Sequence, residues 1–137
     1  MSEFPHLLHT VLDTTEPRTL AEFYRELLGL RYRAGDEPPD DGSPDTADWL
    51  VLVDADDVRQ LAFQQVERLT PTTWPEPDVP MQLHLDLTVS SAEELERQHE
   101  RAVALGARVI FDRSDDPDEP LYVFADLAGH PFCIFVA

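Results

Sequence analysis

Apolar and polar residues alternate along "MQLHLDLTV", residues 81–89, which is the pattern of a β-strand that buries one face. The buried face would carry leucines and a valine. The other face would carry His84, Asp86 and Thr88, since residues two apart share a side of a strand. This polar face is either a solvated surface or the wall of a site.

The first half of the chain predicts a strand, a helix and three further strands. "LLHTVLDT" alternates as a strand, and a helix is expected from about residue 16 to residue 28, with Thr15 as its N-cap and Gly29 as its C-cap. Its apolar stripe is Leu20, Phe23, Tyr24 and Leu27. Strands are then predicted at "RYRAG", "DWLVLVD" and "RQLAFQQVE".

The second half predicts the same order after a Pro-rich connector, "LTPTTWPEPDVP". A strand at 81–89 precedes the helix "SSAEELERQHERAVALGA", with Ser90 or Ser91 as N-cap and Glu94 placed for a capping box. The strands "RVIFDR", "LYVFAD" and "PFCIFVA" follow.

The two halves read as an internal repeat. His9 opens the first half and His84 the second, and "LLGL" and "ALGA" end the two helices. In the last strands, Gln64 aligns with Cys133. We expect an α+β fold of two paired βαβββ modules that form curved mixed sheets around a cleft. The first module spans about 5–68, the linker 69–80 and the second module 81–137, within a single domain of residues 1–137.

Charge and composition limit the partners and the location that we expect for the protein. The chain has 28 acidic against 10 basic residues, a formal net charge of −18, which disfavours nucleic acids and anionic membranes as partners. Neither a secretory signal nor a membrane-spanning run of about 20 apolar residues is recognisable. Cys133 is the only cysteine. A reducing, cytoplasmic location is therefore expected.

These motifs resemble the vicinal oxygen chelate superfamily, which includes glyoxalase I and bleomycin-resistance proteins. The resemblance rests on "LLHTVLDTTEPRTLAEFYRELLGL", "HLDLTV", "LGARV" and the final "DLAGHPFCIF", and it covers nearly the whole chain. The chain is similar in particular to the glyoxalase-like domains of that superfamily. The resemblance specifies the fold more strongly than the reaction, because the superfamily includes isomerases, dioxygenases and metal-free binders.

The resemblance implies four positions for a divalent metal such as Zn, Ni, Fe or Mn. Carried over, they are His9, Gln64, His84 and Cys133. The family usually has Glu at the last position, and this chain has no acid at either position 64 or position 133. Cys133 is then either a zinc thiolate or a small buried hydrophobe. Gln64 is either a weak ligand or a hydrogen-bonded edge residue, and the histidines are either cleft-facing or ordinary half-buried residues.

Two aspartates share strand faces with the histidines, Asp13 with His9 and Asp86 with His84. Each either fixes the tautomer of its histidine or is a structural residue bonded to backbone amides. Asp86 is in addition the candidate general base.

Aromatic residues are candidates for a ligand pocket, although most are expected in the core. The substrate-binding candidates are Trp49, Phe63, Trp74 and Phe124, together with Asp13. Trp74 lies in the connector, where a lid or a dimer contact is expected.

Two functions remain open. One is a metal-dependent lyase, isomerase or dioxygenase that uses His9 and His84, with Asp86 as its base. The other is a metal-free protein that binds a small organic molecule in the cleft. The retained histidines favour the metal-dependent enzyme, and the missing acids favour the metal-free binding protein. The binding protein is the slightly preferred interpretation. The resemblance also implies a homodimer. Phosphate-loop and G-x-S-x-G motifs are absent from the sequence.

Overall fold

A computed structural model describes residues 3–137 of the chain. They form two compact units, with the boundary between Arg68 and Leu69. Each unit contains one helix and one four-stranded mixed sheet, which confirms the predicted α+β class. Among residues 3–137, neither helix has the length and the apolar character needed to cross a membrane.

The first unit contains a sheet in the order β1-β4-β3-β2. β1 is parallel to β4, and the other pairs are antiparallel. Helix α1 packs on one side, where Tyr24 stacks on Phe63 at 6.0 Å. The predicted stripe of Leu20, Phe23, Tyr24 and Leu27 is buried, as expected. The elements are β1 (Thr10–Thr14), α1 (Pro17–Leu28), β2 (Arg31–Tyr32), β3 (Trp49–Val53) and β4 (Arg59–Gln65).

The C-terminal end of α1 agrees with the prediction, and its N-terminal end differs from it. Gly29 takes the left-handed conformation, with φ of 67°, and ends the helix as predicted. The N-cap residue is Glu16 and not Thr15, and its side chain makes no capping hydrogen bond. The hydroxyl of Thr14 accepts a hydrogen bond from the Glu16 N–H instead, and Pro17 starts the helix. The turn at the end of β1 therefore takes over the role predicted for Thr15.

The second unit repeats this architecture, with strand order β5-β8-β7-β6 and a parallel β5–β8 pair. Ser91 caps α2 and accepts a hydrogen bond from the Glu94 N–H, in agreement with one of the two predicted caps. Leu95 and Ala102 are the buried residues of the helix. The elements are β5 (Leu85–Val89), α2 (Ala92–Ala104), β6 (Arg108–Arg113), β7 (Leu121–Ala125) and β8 (Pro131–Val136).

The first strand of each unit is shorter than predicted. β1 begins at Thr10 and β5 at Leu85, so His9 and His84 each lie one residue before a strand. In the second unit the partner strand β8 begins at Pro131, which has no N–H to extend the ladder. Alternation along the sequence could not show where the partner strand ends.

The connector is ordered against the second unit. The Thr72 N–H donates to the Gly129 carbonyl at 3.0 Å. Trp74 packs edge-on against Phe111 of β6, with ring centroids 5.5 Å apart. Residues 69–80 therefore belong with the second unit.

Candidate functional site

One row of side chains crosses the second sheet. Asp86 lies directly opposite Cys133, Cys133 opposite Val123, and Val123 opposite Phe111. Residues opposite each other on paired strands share a face. We call these four residues the Asp86 row.

The Asp86 row faces away from α2. The neighbours of Val123 along β7 are Tyr122 and Phe124, and both contact His99 of α2, with ring centroids at 4.2 Å and 6.1 Å. Because successive strand residues point to opposite faces, Val123 and its row lie on the side without the helix. The helix of this unit therefore does not cover the Asp86 row.

Asp86 joins two other polar side chains at one end of the row. Its Oδ1 accepts a hydrogen bond from the Cys133 thiol at 2.7 Å and lies 3.2 Å from His84 Nε2. His84 and Asp86 are about half exposed, with side-chain accessibilities of 45% and 55%. The sequence placed His84 and Asp86 on one face, but pairing of Asp86 with Cys133 depends on the register of β5 against β8.

The Cys133 thiol is held in its neutral form. Burial raises its pKa first, and the hydrogen bond to Asp86 and that carboxylate's negative charge add to the effect, to a pKa of about 12. A thiol must lose its proton to bind a metal or to attack an electrophile. Cys133 is therefore a hydrogen-bond donor in this structure and neither a nucleophile nor a thiolate.

The other end of the row is apolar. Phe111 is 36% exposed, and Trp74 of the connector packs on its ring. The face thus changes from polar at Asp86 to aromatic at Phe111. Phe111 was not predicted from the sequence, although a large apolar residue beside "DR" at the end of a strand was the available signal.

A corresponding row crosses the first sheet, where Asp13 lies opposite Gln64 and Gln64 opposite Trp49. Gln64 Nε2 donates to Asp13 Oδ1 in a long hydrogen bond of 3.4 Å. The Trp49 ring lies 5.9 Å from the ring of His9, tilted by 52°. The structure thus brings His9, Asp13, Gln64 and Trp49 to one face, of which alternation predicted only the shared side of His9 and Asp13.

His9 has a neutral imidazole with an unused nitrogen. Burial lowers its pKa, and the charges of Arg59 and then Arg33 lower it further. Its Nδ1 is buried and has no hydrogen-bond partner among residues 3–137. Such a nitrogen is available to a ligand. Arg59 was not identified from the sequence; a lone basic residue at the start of an apolar strand was the only signal.

The two halves do not repeat in register as the sequence alignment assumed. Gln64 lies opposite Asp13, four residues after His9, whereas Cys133 lies opposite Asp86, two residues after His84. His9 with His84 and Gln64 with Cys133 therefore cannot both be equivalent pairs. This offset explains why His84 reaches the carboxylate in its half while His9 contacts Trp49.

Phe63 and Phe124 lie in the cores of the two units, and each is 0% exposed. Phe63 stacks on Tyr24 of α1, and Phe124 stacks on Phe132 at 4.9 Å. Neither ring has surface to offer a ligand, so we leave both out of the candidate site. Trp49 and Trp74 are half-buried and stay in it.

The polar residues of the second sheet, His84, Asp86 and Cys133, are joined by close contacts that a divalent metal would have to replace. Binding through Cys133 requires loss of a proton that burial and Asp86 both retain. Within the described part of the chain, residues 3–137, no group of three or more His, Cys, Asp or Glu side chains is arranged to hold a metal ion. In the first unit, His9 offers a buried Nδ1 that has no hydrogen-bond partner among the described residues.

Comparisons with known proteins agree on the fold. A family model described as a glyoxalase-like domain matches residues 9–135. None of the curated proteins searched matches the chain.

Solved structures with the same fold are distant in sequence. A hypothetical protein from S. aureus is 15% identical, with a TM-score of 0.65 over 99% of this chain and 100% of that one. A glyoxalase/bleomycin resistance protein/dioxygenase family enzyme from Burkholderia phytofirmans is 15% identical, with a TM-score of 0.66 over 94% and 96%. A mutant of the fosfomycin resistance protein FosX from Listeria monocytogenes, complexed with Mn(II) and a dihydroxypropylphosphonic acid, is 16% identical, with a TM-score of 0.68 over 98% and 93%.

Proposed function

Because this chain belongs to the glyoxalase-like domain family, we propose that it binds a small organic molecule, in the manner of a glyoxalase/bleomycin-resistance-like protein, without a resident metal at the Asp86 row. The observation that carries the proposal is the hydrogen bond from Cys133 to Asp86. Burial and this hydrogen bond keep the thiol of Cys133 neutral, and Cys133 is the residue that the sequence resemblance aligns with the usual Glu of the family.

The two ends of the row suit the two parts of a small organic ligand. Asp86 and His84 supply a carboxylate acceptor and an imidazole, and Phe111 and Trp74 supply an aromatic surface. Sites for small molecules combine a few polar groups with apolar walls in this way. Covering about 100 Å² of apolar surface would contribute roughly 2.5 kcal/mol to binding.

Asp86 is also the best-placed catalytic base of this face. Its Oδ1 already accepts from Cys133 and lies beside His84, which leaves Oδ2 for a ligand proton. A base must lie within hydrogen-bond reach of the proton that it removes. We propose binding as the primary role and proton abstraction by Asp86 as its catalytic extension.

The test is a screen of a small-molecule library against the metal-free protein, followed by NMR of the Trp74 indole N–H for each hit. Compounds that bind should shift the Trp74 resonance, and both Asp86→Asn and Phe111→Ala should weaken their binding. Asp115→Asn, a matched charge change at an exposed loop residue, should not. Binding that neither Asp86→Asn nor Phe111→Ala weakens would contradict the proposal, and so would a library in which no compound binds.

A second candidate is a divalent-metal-dependent lyase, isomerase or dioxygenase that uses His9 and His84. Nδ1 of His9, which is buried without a hydrogen-bond partner among residues 3–137, favours it, and so does the lowered pKa of His9. Its test is the metal content of untagged protein after addition of Zn, Ni, Fe or Mn, in wild type and in His9→Ala/His84→Ala. Stoichiometric metal that the double variant loses would support it, and absence of metal after these additions would refute it.

Three further expectations stay predictions: a cleft shared by both halves, a homodimer and a cytoplasmic location. The size of the particle in solution tests the second of these directly. Binding of one ligand that depends on both His9 and Asp86 would support the first.

A further inference from the structure

Arg59 lies on the face of the first sheet that carries His9 and Trp49. It is the first residue of β4 and pairs with Val53 of β3. Val53 belongs to a buried apolar cluster with Val51 and Ala62, against which Trp49 packs. Paired residues share a face, so Arg59 borders this apolar cluster. We call His9, Trp49 and Arg59 the His9 cluster.

The charge of Arg59 has no partner among the described residues, 3–137. Arg59 is half-buried, and its guanidinium forms neither a hydrogen bond nor an ion pair with any residue in the range 3–137. Four other arginines of the same unit are ion-paired: Arg18 with Asp45, Arg25 with Glu22, Arg31 with Asp57 and Arg33 with Asp36. A partly desolvated cation without a partner is costly, and a ligand anion would offset that cost.

Two further hydrogen-bonding groups of the cluster are also unused. His9 Nδ1 is buried without a partner among the described residues. The Trp49 indole N–H likewise has no acceptor within residues 3–137. The charge of Arg59 lies close enough to His9 to lower its pKa, and it does so more strongly than the charge of Arg33. A cation, an aromatic face and two free ring nitrogens therefore meet beside an apolar floor.

The acidic groups nearby do not neutralise the cluster. Asp36 holds Arg33 at 3.1 Å and accepts a hydrogen bond from the Val51 N–H. Asp13 lies four residues beyond His9, about 13 Å along an extended chain, and accepts a hydrogen bond from Gln64. The protein as a whole, with a formal charge of −18, repels anions, so the unpaired Arg59 is a local exception.

We propose that the His9 cluster binds the oxyanion of a small organic acid, a carboxylate or a phosphonate, with a flat apolar body against Trp49. The guanidinium of Arg59 holds the oxyanion in a charge-assisted pair of hydrogen bonds. Trp49 covers the apolar part of the molecule. The His9 cluster shares no residue with the Asp86 row, so this inference goes beyond the binding proposed there and concerns a site of the first unit.

The experiment measures binding of four probes by calorimetry: benzoate, phenylphosphonate, the neutral benzyl alcohol and the cationic benzylamine. Benzoate and phenylphosphonate distinguish a carboxylate from a phosphonate ligand. The Trp49 indole resonance, assigned with Trp74→Phe, reports the place of binding. Arg59→Gln is compared with Arg25→Gln, which removes the same charge from α1, on the opposite side of the sheet.

At least one anion should bind about tenfold more tightly than benzyl alcohol and benzylamine, and it should shift the Trp49 resonance. Arg59→Gln should remove that tenfold preference, and Arg25→Gln should keep it. Equal binding of neutral and anionic probes, or equal effects of the two variants, would refute the anion site and leave small-molecule binding intact. Binding of no probe, together with an empty library screen, would refute both proposals.

Discussion

The Cys133 thiol donates a hydrogen bond to Asp86 across the parallel pair of β5 and β8, with Sγ and Oδ1 2.7 Å apart. A carboxylate at this distance stabilises the thiol and destabilises the thiolate. The pair therefore converts the chain's only cysteine from a reactive group into a fixed donor. It also leaves Asp86 as the anionic centre of its face.

Alkylation of Cys133 should be slow for this reason. With a pKa of about 12, Cys133 should react with iodoacetamide at about pH 8 roughly 1000-fold more slowly than an ordinary thiol, because only the thiolate attacks. Asp86→Asn should speed the reaction by removing the negative charge. Asp13→Asn, the same change in the other sheet, should leave the rate unaltered. Wild-type protein that reacts like free cysteine would contradict the assignment.

Acid should destabilise the protein through His9. Burial and the charges of Arg59 and Arg33 lower the pKa of His9, so the unfolded state binds a proton more readily than the folded state. The contribution of His9 to stability is complete above its ordinary pKa of 6.5 and is lost as the pH falls from there through the lower folded value.

Thermal unfolding at about pH 7.5 and about pH 5.5 checks this, with a larger loss expected for wild type than for His9→Gln. Proton NMR of the same histidine should show its pKa rising in Arg59→Gln and staying low in Arg25→Gln. Burial, the largest cause, persists in both variants, so only part of the shift should disappear. A pKa that does not respond to Arg59 would remove that residue from the cluster.

The elements were predictable because their signals are local. The stripe of Leu20 and Tyr24, Gly29 after α1 and Ser91 before α2 each act within a few residues of their own position. The repeat was visible for the same reason, since each half carries its own helix and its own strands.

The candidate site was less predictable because it depends on pairing between distant residues. Asp86 and Cys133 are 47 residues apart, and Arg59 reaches the face of Trp49 only through the pairing of Val53. Alternation gave the correct face for His9 but could not locate the end of the ladder. Phe63 was considered for a pocket because aromatic residues of core and site look alike in a sequence.

Phe124 and Phe111 provide a test of core against site within one sheet. Phe124 is 0% exposed and Phe111 is 36% exposed. Phe124→Leu should cost about 1–3 kcal/mol in urea unfolding, because it opens a cavity, whereas Phe111→Leu should stay within about 0.5 kcal/mol. For ligands that bind at the Asp86 row the order should be reversed: Phe111→Leu should weaken binding, and Phe124→Leu should affect binding less. Weaker binding in Phe124→Leu at unchanged stability would return that residue to the site.

Gly129 should prove essential for seating the connector on the second unit. Its φ is +94°, and a Cβ added there would lie 2.5 Å from Pro71 Cβ and 2.7 Å from Pro71 Cα. Gly129→Ala therefore combines backbone strain of roughly 1–2 kcal/mol with a clash against backbone, which must push Pro71 away. The hydrogen bond from Thr72 to the Gly129 carbonyl and the contact of Trp74 with Phe111 should then weaken.

Gly42→Ala is the matched control for this prediction, because Gly42 has φ of +82° with open space around its Cβ position. It carries the strain without the clash. Gly129→Ala should lower the thermal midpoint further than Gly42→Ala and shift the Trp74 fluorescence, and Gly42→Ala should not shift it. Equal effects of the two substitutions would mean that the connector does not depend on close approach at Gly129. Trp74 would then contact Phe111 independently of the approach of Pro71 to Gly129.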